Sequence, residues 1–168
     1  MKYFLGGDYK LNCNEFLKYY NYVNYVNRNL NLGVFTNGVP INREFGYIEI
    51  HITKNLGSEI ATDAVLTIYV NQNGNQIPVI SLSPTQNPTI IELPIANPVG
   101  TLVEGPEYYF TPYDLTIESE GYYKIATQNI RLFPNINSIF FYNLNEIVPG
   151  QPNQEEITVL PPHPRDEI

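Results

Sequence analysis

The chain has 168 residues, of which 43% are hydrophobic and only 15% charged, and its formal net charge is −8. That length carries one ordinary domain with flanking sequence and leaves a second full core crowded. The acidic balance excludes the basic stripe that displaces counterions from nucleic-acid phosphates, and it disfavours anionic membrane surfaces for the same reason.

Charge is uneven along the chain. Residues 1–43 hold five basic side chains against two acidic ones, residues 44–148 three against eleven, and residues 149–168 one against four. The expected organisation is therefore an N-terminal assembly arm over 1–43, a body over 44–148 and a proline-rich acidic tail over 149–168. A positive arm on a negative body can dock within its own chain or on a neighbour. The remaining surface is rich in tyrosine and asparagine, neutral and hydrogen-bonding, which suits permanent association better than solitary solubility.

The segment "MKYFLGGDYKLNCNEF" has a short apolar stretch ended by Gly6, Gly7 and Asp8. It lacks the longer apolar run and small-residue cleavage site of a secretory signal, so no export by the general route is expected. No stretch of the sequence approaches the ~20 apolar residues of a membrane span, and no membrane insertion is expected. Cys13 is the one cysteine, which rules out an internal disulfide. Over residues 15–30, Tyr19, Tyr22, Val23, Val26 and Leu30 fall at helical spacing and Asn14 is a suitable cap. The same stretch has enough tyrosine, valine and partial alternation for a strand. The spacing leans to helix, and periodicity alone does not decide it.

From Gly46 onward period 2 dominates. "GYIEIHIT" puts Ile48, Ile50 and Ile52 on one face and Tyr47, Glu49, His51 and Thr53 on the other. "DAVLTIYVN" aligns Ala64, Leu66, Ile68 and Val70. Asn73-Gly74 then gives a tight hairpin, because both residues tolerate positive φ. "QIPVISL" returns as the partner, with Pro78 marking an edge or bulge. "PTIIEL" is a short strand between Pro88 and Pro94, and Pro94 to Pro106 reads as a long surface loop. "TPYDLTIES" turns Tyr113, Leu115 and Ile117 inward. Glu120-Gly121 turns the chain into "YYKIATQNIRL", and Pro134 to Asn137 leads into "SIFFYNL". About seven strands with regular turn signals predict a β-sandwich. In the tail, a strand-like patch from Ile157 to Leu160 is able to add to a sheet edge of its own chain or of a neighbour.

Residues 46–148 resemble the carboxypeptidase-regulatory-like (transthyretin-like) β-sandwich domain, in the form found in proteins of spore-forming bacteria. The matching pieces are the Ala64–Ile68 strand, the Tyr113–Ile117 strand, the Gly121-Tyr122-Tyr123 turn and the Phe133–Ile139 segment. In that last segment the family's usual glycine is replaced, giving Phe133-Pro134-Asn135-Ile136-Asn137-Ser138. The resemblance implies an all-β, seven-stranded transthyretin-like/Ig-like β-sandwich with N-terminal and C-terminal extensions. It also implies an accessory module without chemistry of its own.

Candidate chemistry is sparse. Cys13 with His51 lacks a group to orient the histidine as a base, so a small thiol and a surface imidazole explain the pair. His51 and His163 are far apart in sequence, and Glu118 with Glu120 reads as a solvated strand end, so no metal is expected. Asn71 to Asn75 is accounted for by turn chemistry. Lys54 or Lys124 would form an intramolecular isopeptide bond only if buried with an asparagine and a carboxylate. Tyr108, Tyr109, Tyr122 and Tyr123, with Tyr19, Tyr20, Tyr22 and Tyr25, offer rings for sugars, yet the chain has no tryptophan, the best residue for such a platform. Outward tyrosines fit protein contacts instead.

The expectation is a non-enzymatic structural subunit, without cofactor or metal, of an extracellular assembly on a spore or cell surface. Its partner is itself, as a homopolymer built head to tail, with other surface-layer proteins or cell-wall glycan as further partners. The expected interface is Tyr19, Tyr20, Tyr22, Val23, Tyr25, Val26, Ile157 and Val159. A peptidoglycan- or glycan-binding accessory module is the alternative.

Overall fold

The computed structural model describes residues 44–57, 59–151 and 155–163. The expectations for Cys13, for residues 15–30 and for the arm interface (Tyr19, Tyr20, Tyr22, Val23, Tyr25, Val26) lie outside the described residues.

Eleven strands follow in chain order: β1 (Phe45–Lys54), β2 (Glu59–Ile60), β3 (Val65–Gln72), β4 (Asn75–Leu82), β5 (Thr89–Pro94), β6 (Val103–Glu104), β7 (Tyr109–Phe110), β8 (Tyr113–Glu118), β9 (Ile125–Ile130), β10 (Asn137–Leu144) and β11 (Glu156–Val159). A 3-10 turn at Asn55–Gly57 is the one helical piece among the described residues. The expected count of seven is corrected to eleven among the described residues. The seven strands of six residues or more are those that alternation predicts; two-residue β2, β6 and β7 are too short to carry a period, and β11 belongs to the tail.

The strands form a β-sandwich. In one sheet β1 is central, with β10 parallel on one side and β5 and β2 antiparallel along successive parts of the other. The second sheet runs β11-β9-β8-β3-β4, and β6 pairs with β7 as a small ribbon. Between the sheets lie Ile48, Ile50 and Ile52 from β1 and Leu66, Ile68 and Val70 from β3. Ile91 and Leu93 from β5 join them, with Tyr113, Leu115 and Ile117 from β8 and Ile130 from β9. These are the residues that period-2 spacing turns inward, since successive side chains of a strand face opposite sides. Asn73 and Gly74 have φ of 53° and 82°, the positive pair that a two-residue hairpin requires. At Pro78 the β3–β4 register shifts, Tyr69 facing Pro78 and Ile68 facing Ile80, so the edge strand bulges where proline cannot donate.

One part of the chain departs from the sequence reading, and the tail takes one of the two pairings left open to it. The segment after Pro94 does not begin as a surface loop: Ile95, Ala96 and Asn97 are buried. They close one end of the sandwich, where Ile95 donates to Glu44 O at 2.9 Å and accepts from Thr111 N at 2.9 Å. Proline and glycine signalled turns there but say nothing about burial. The tail strand β11 pairs in parallel with β9 of its own chain. Asn129 anchors it: this residue sits in a bulge with φ of 63°, and its side-chain amide donates to Leu160 O at 2.8 Å.

Candidate functional site

The outer face of the β10-β1-β5 sheet is built rung by rung from the register. Parallel pairing sets Tyr47 beside Asn137, Glu49 beside Ile139 and His51 beside Phe141. Antiparallel pairing sets Glu92 and Ile90 on the other flank, against Tyr47 and Glu49. Polar groups on the central strand are tied down. Tyr47 donates to Glu92 Oε1 at 3.1 Å, His51 Nε2 lies 2.8 Å from Glu49 Oε1, and Asn137 donates to the other Glu49 oxygen. The His51 hydrogen bond, with that of Asn137, holds the Glu49 carboxyl below its usual range, whereas the hydrogen bond to Glu92 raises the Tyr47 phenol. His51 also stacks on Phe141 with ring centroids 4.4 Å apart.

The apolar members of this face stay open. Ile90 is 45% exposed, Ile139 52% and Phe141 76%. Scattered exposed apolar residues are ordinary, but these three occupy adjoining rungs of one sheet face. The signal was present in "SIFFYNL", where both alternating sets are apolar: Phe140 and Tyr142 turn toward the core, leaving Ile139 and Phe141 outside.

At the opposite end from the Ile95 cap, β1 keeps its inward period for one more step and brings in Lys54. Its Nζ lies 2.6 and 2.7 Å from the two Asp63 oxygens and 4.4 Å from the Tyr122 ring centre. Ser119 donates to the same carboxylate at 3.1 Å. The Lys54 contact is the main reason that the Asp63 carboxyl is held below its usual range. Lys124 bridges Glu118 at 3.3 Å and Glu155 at 3.2 Å, tying the β8 end to the tail. Burial lowers the Lys124 ammonium, but these two carboxylates outweigh it and raise the group. Both lysines thus face carboxylates, and neither has a hydrogen bond to an asparagine among the described residues.

A small cleft of about 290 Å³ lies between Pro106, Glu107, Tyr108, Arg131, Phe133 and His163. The Arg131 guanidinium sits over Phe110, Phe133 and Tyr108 at 4.1, 4.9 and 5.4 Å from the ring centres. The tail brings His163 edge-on to Phe133 at 5.1 Å. Sequence reading named His163 and Tyr108 separately and did not join them.

Of the other predicted residues, Ile157 and Val159 lie on β11 with exposed side chains, 55% and 63%. Tyr108 and Tyr109 are buried and Tyr122 is covered by Lys54, so these do not form an open sugar platform. Glu118 is engaged by Lys124 and does not stand with Glu120 as a free pair. Among the described residues no three His, Cys, Asp or Glu side chains gather to hold a metal. No helix among them is long and apolar enough to cross a membrane.

No family model matches the chain. No curated protein matches it either. Among solved structures, a mutant of catechol 1,2 dioxygenase from Acinetobacter radioresistens is similar over 86% of this chain and 75% of that one. The identity is 10% and the TM-score 0.46.

Proposed function

We propose that this protein is a structural subunit that associates with copies of itself, its basic arm docking on the acidic body of a neighbour. The observation that carries this reading is the open apolar set Ile90, Ile139 and Phe141 on adjoining rungs of one sheet face, of the kind that protein contacts cover. Charge supports the direction of docking, five basic against two acidic side chains in residues 1–43 meeting a body with three against eleven. Head-to-tail contacts of this kind are heterologous and extend into a filament unless they close into a ring. The spore-surface setting rests on the resemblance of residues 46–148.

Negative-stain electron microscopy of the purified full-length protein across a concentration series tests the reading. Fibres or sheets are expected. Monodisperse particles at every concentration overturn it. The cleft at Tyr108, Arg131, Phe133 and His163 favours a second reading, a glycan-binding module. Retention of a monomeric protein on purified cell wall, lost in Phe133→Ala, would select that alternative.

A further inference from the structure

Resting on the self-association proposed above, the geometry points to the outer edge of β10 as the place where the arm of a neighbouring copy adds as a β-strand. The argument is one of unpaired backbone groups. Tyr47 N donates to Ile136 O, and in a parallel ladder of this register the even-numbered residues of β10 bond to β1. Asn137, Ile139, Phe141 and Asn143 therefore turn their N–H and C=O groups away from β1. No strand pairs with that side among the described residues. It is closed only past Leu144, where the Gly121–Tyr123 turn takes over: Tyr123 N donates to Asn145 O, and Ile147 N to Gly121 O.

A strand edge left bare invites pairing, and proteins usually blunt it with proline, charge, a bulge or shortness. The other edges show these devices. β4 has Pro78 and a bulge. The odd residues of β1 are engaged by β10, so its even residues face β5; β5 then turns Ile90, Glu92 and Pro94 outward, presenting one charge and one position without an N–H. β2 has two residues, and β11 four with Glu156 at its start. β10 has none of these devices: eight residues, "NSIFFYNL", with no charge, no proline and an unbroken register.

The arm fits this edge in sequence and in charge. Tyr19 to Val26, "YYNYVNYV", contains neither proline nor glycine and is rich in strand-favouring tyrosine and valine. Lys18 and Arg28 flank it, ten positions apart. The open edge is flanked by acids at nearly the same span: Asn137 holds Glu49 at one end, and Glu146 follows Asn143 at the other. As an added strand, the arm would lay half its side chains beside Ile139 and Phe141, the exposed pair of the outer face.

The test is amide hydrogen exchange of the full-length protein, read residue by residue at low and high concentration. Ser138, Phe140 and Tyr142 are protected by β1 throughout and report that the sheet is folded. Ile139, Phe141 and Asn143 become protected, at least 10-fold, only at the concentrations where fibres form. Ile139→Pro removes one outward N–H and no bond to β1; Phe141→Lys adds a charge to the edge. Each should raise the protein concentration needed for assembly at least 10-fold with the even-residue protection kept. Val23→Pro in the arm should abolish the odd-residue protection. Protection of the odd residues at every dilution would mean that the chain covers its own edge, and survival of protection in Val23→Pro would mean pairing with another segment. Either result overturns the inference, as do fibres in which the odd residues exchange freely. Those fibres would leave self-association standing, whereas a chain that never assembles removes the underlying reading itself.

Discussion

Lys54 and Asp63 give opposite expectations for the two halves of one ion pair. The Lys54 side chain is 11% exposed and that of Asp63 57%, so the ammonium is nearly out of water while the carboxylate keeps much of its hydration. Asp63→Asn leaves the ammonium with a neutral partner in a place where water cannot replace the lost charge. A broken buried pair costs about 3–5 kcal/mol; with one partner half in solvent and the Tyr122 ring still beneath the cation, about 2 kcal/mol is expected. Lys54→Met removes the charge that burial penalises, keeps most of the side-chain volume against Tyr122, and leaves a carboxylate that solvent reaches. That change should stay within about 1 kcal/mol of the parent. Urea unfolding and thermal melting read both, Asp63→Asn lowering Tm by about 8 °C. If Lys54→Met costs as much as Asp63→Asn, the asymmetry of burial is not what governs this pair. An intact mass equal to the sequence mass is expected alongside, because the two groups meet as ions; a loss of 18 or 17 mass units, roughly that of water or ammonia, would instead reveal an amide cross-link at a lysine.

Acid should weaken the fold through the same residue. The Asp63 carboxyl is held down mainly by the Lys54 hydrogen bond, so its folded value lies below its unfolded one. The stabilisation is present above the unfolded value, about pH 4, and is lost as pH falls through the folded value. The stability gap between parent and Asp63→Asn should therefore narrow below about pH 4, measured by urea titration at several pH values; a constant gap would refute the linkage. Tyr113→Phe should cost about 1–3 kcal/mol, because the buried hydroxyl donates to Pro94 O and accepts from Asn97 Nδ2 at 3.3 Å. Urea unfolding checks it, and an unchanged midpoint would deny that bond any role in holding the end cap. Gly46→Ala should cost about 1–3 kcal/mol by overpacking, since a Cβ there would stand 2.8 Å from the Phe133 carbonyl oxygen and 3.0 Å from Leu132 Cβ. A variant as stable as the parent would show that the β9–β10 connection yields.

The interior was legible because one rule generates it. Alternation in β1, β3 and β8 named Ile48, Ile50, Ile52, Leu66, Ile68, Val70, Tyr113, Leu115 and Ile117, and all nine are buried. Carried one step past Ile52, the same period turns Lys54 inward, and that lysine takes its counterion from Asp63, just beyond the 3-10 turn and β2. What stayed hidden depends on contacts far apart in sequence. The tail docks on β9 through the Asn129 side chain and the Leu160 backbone, and Asn129 carries no local mark of its bulge. The cleft needs Glu107, Arg131 and His163 brought together from three segments. Residue type announces a turn at Pro94 but cannot say that the chain after it is covered by Thr111 and Tyr113.

β10 joins these two kinds of information. Read as a strand it has the correct length and place, yet its composition is that of a strand covered on both faces: neither Ile139 nor Phe141 has the polar character that an outer position ordinarily takes. One face is covered by the second sheet, through Phe140 and Tyr142. The other is open, and so is the edge beside it. A sequence written as though both sides were buried, where the described residues bury one, supplies the physical reason to look for the second cover outside them. Under the association proposed above, that cover is the basic, tyrosine- and valine-containing stretch of residues 1–43 from a neighbouring copy.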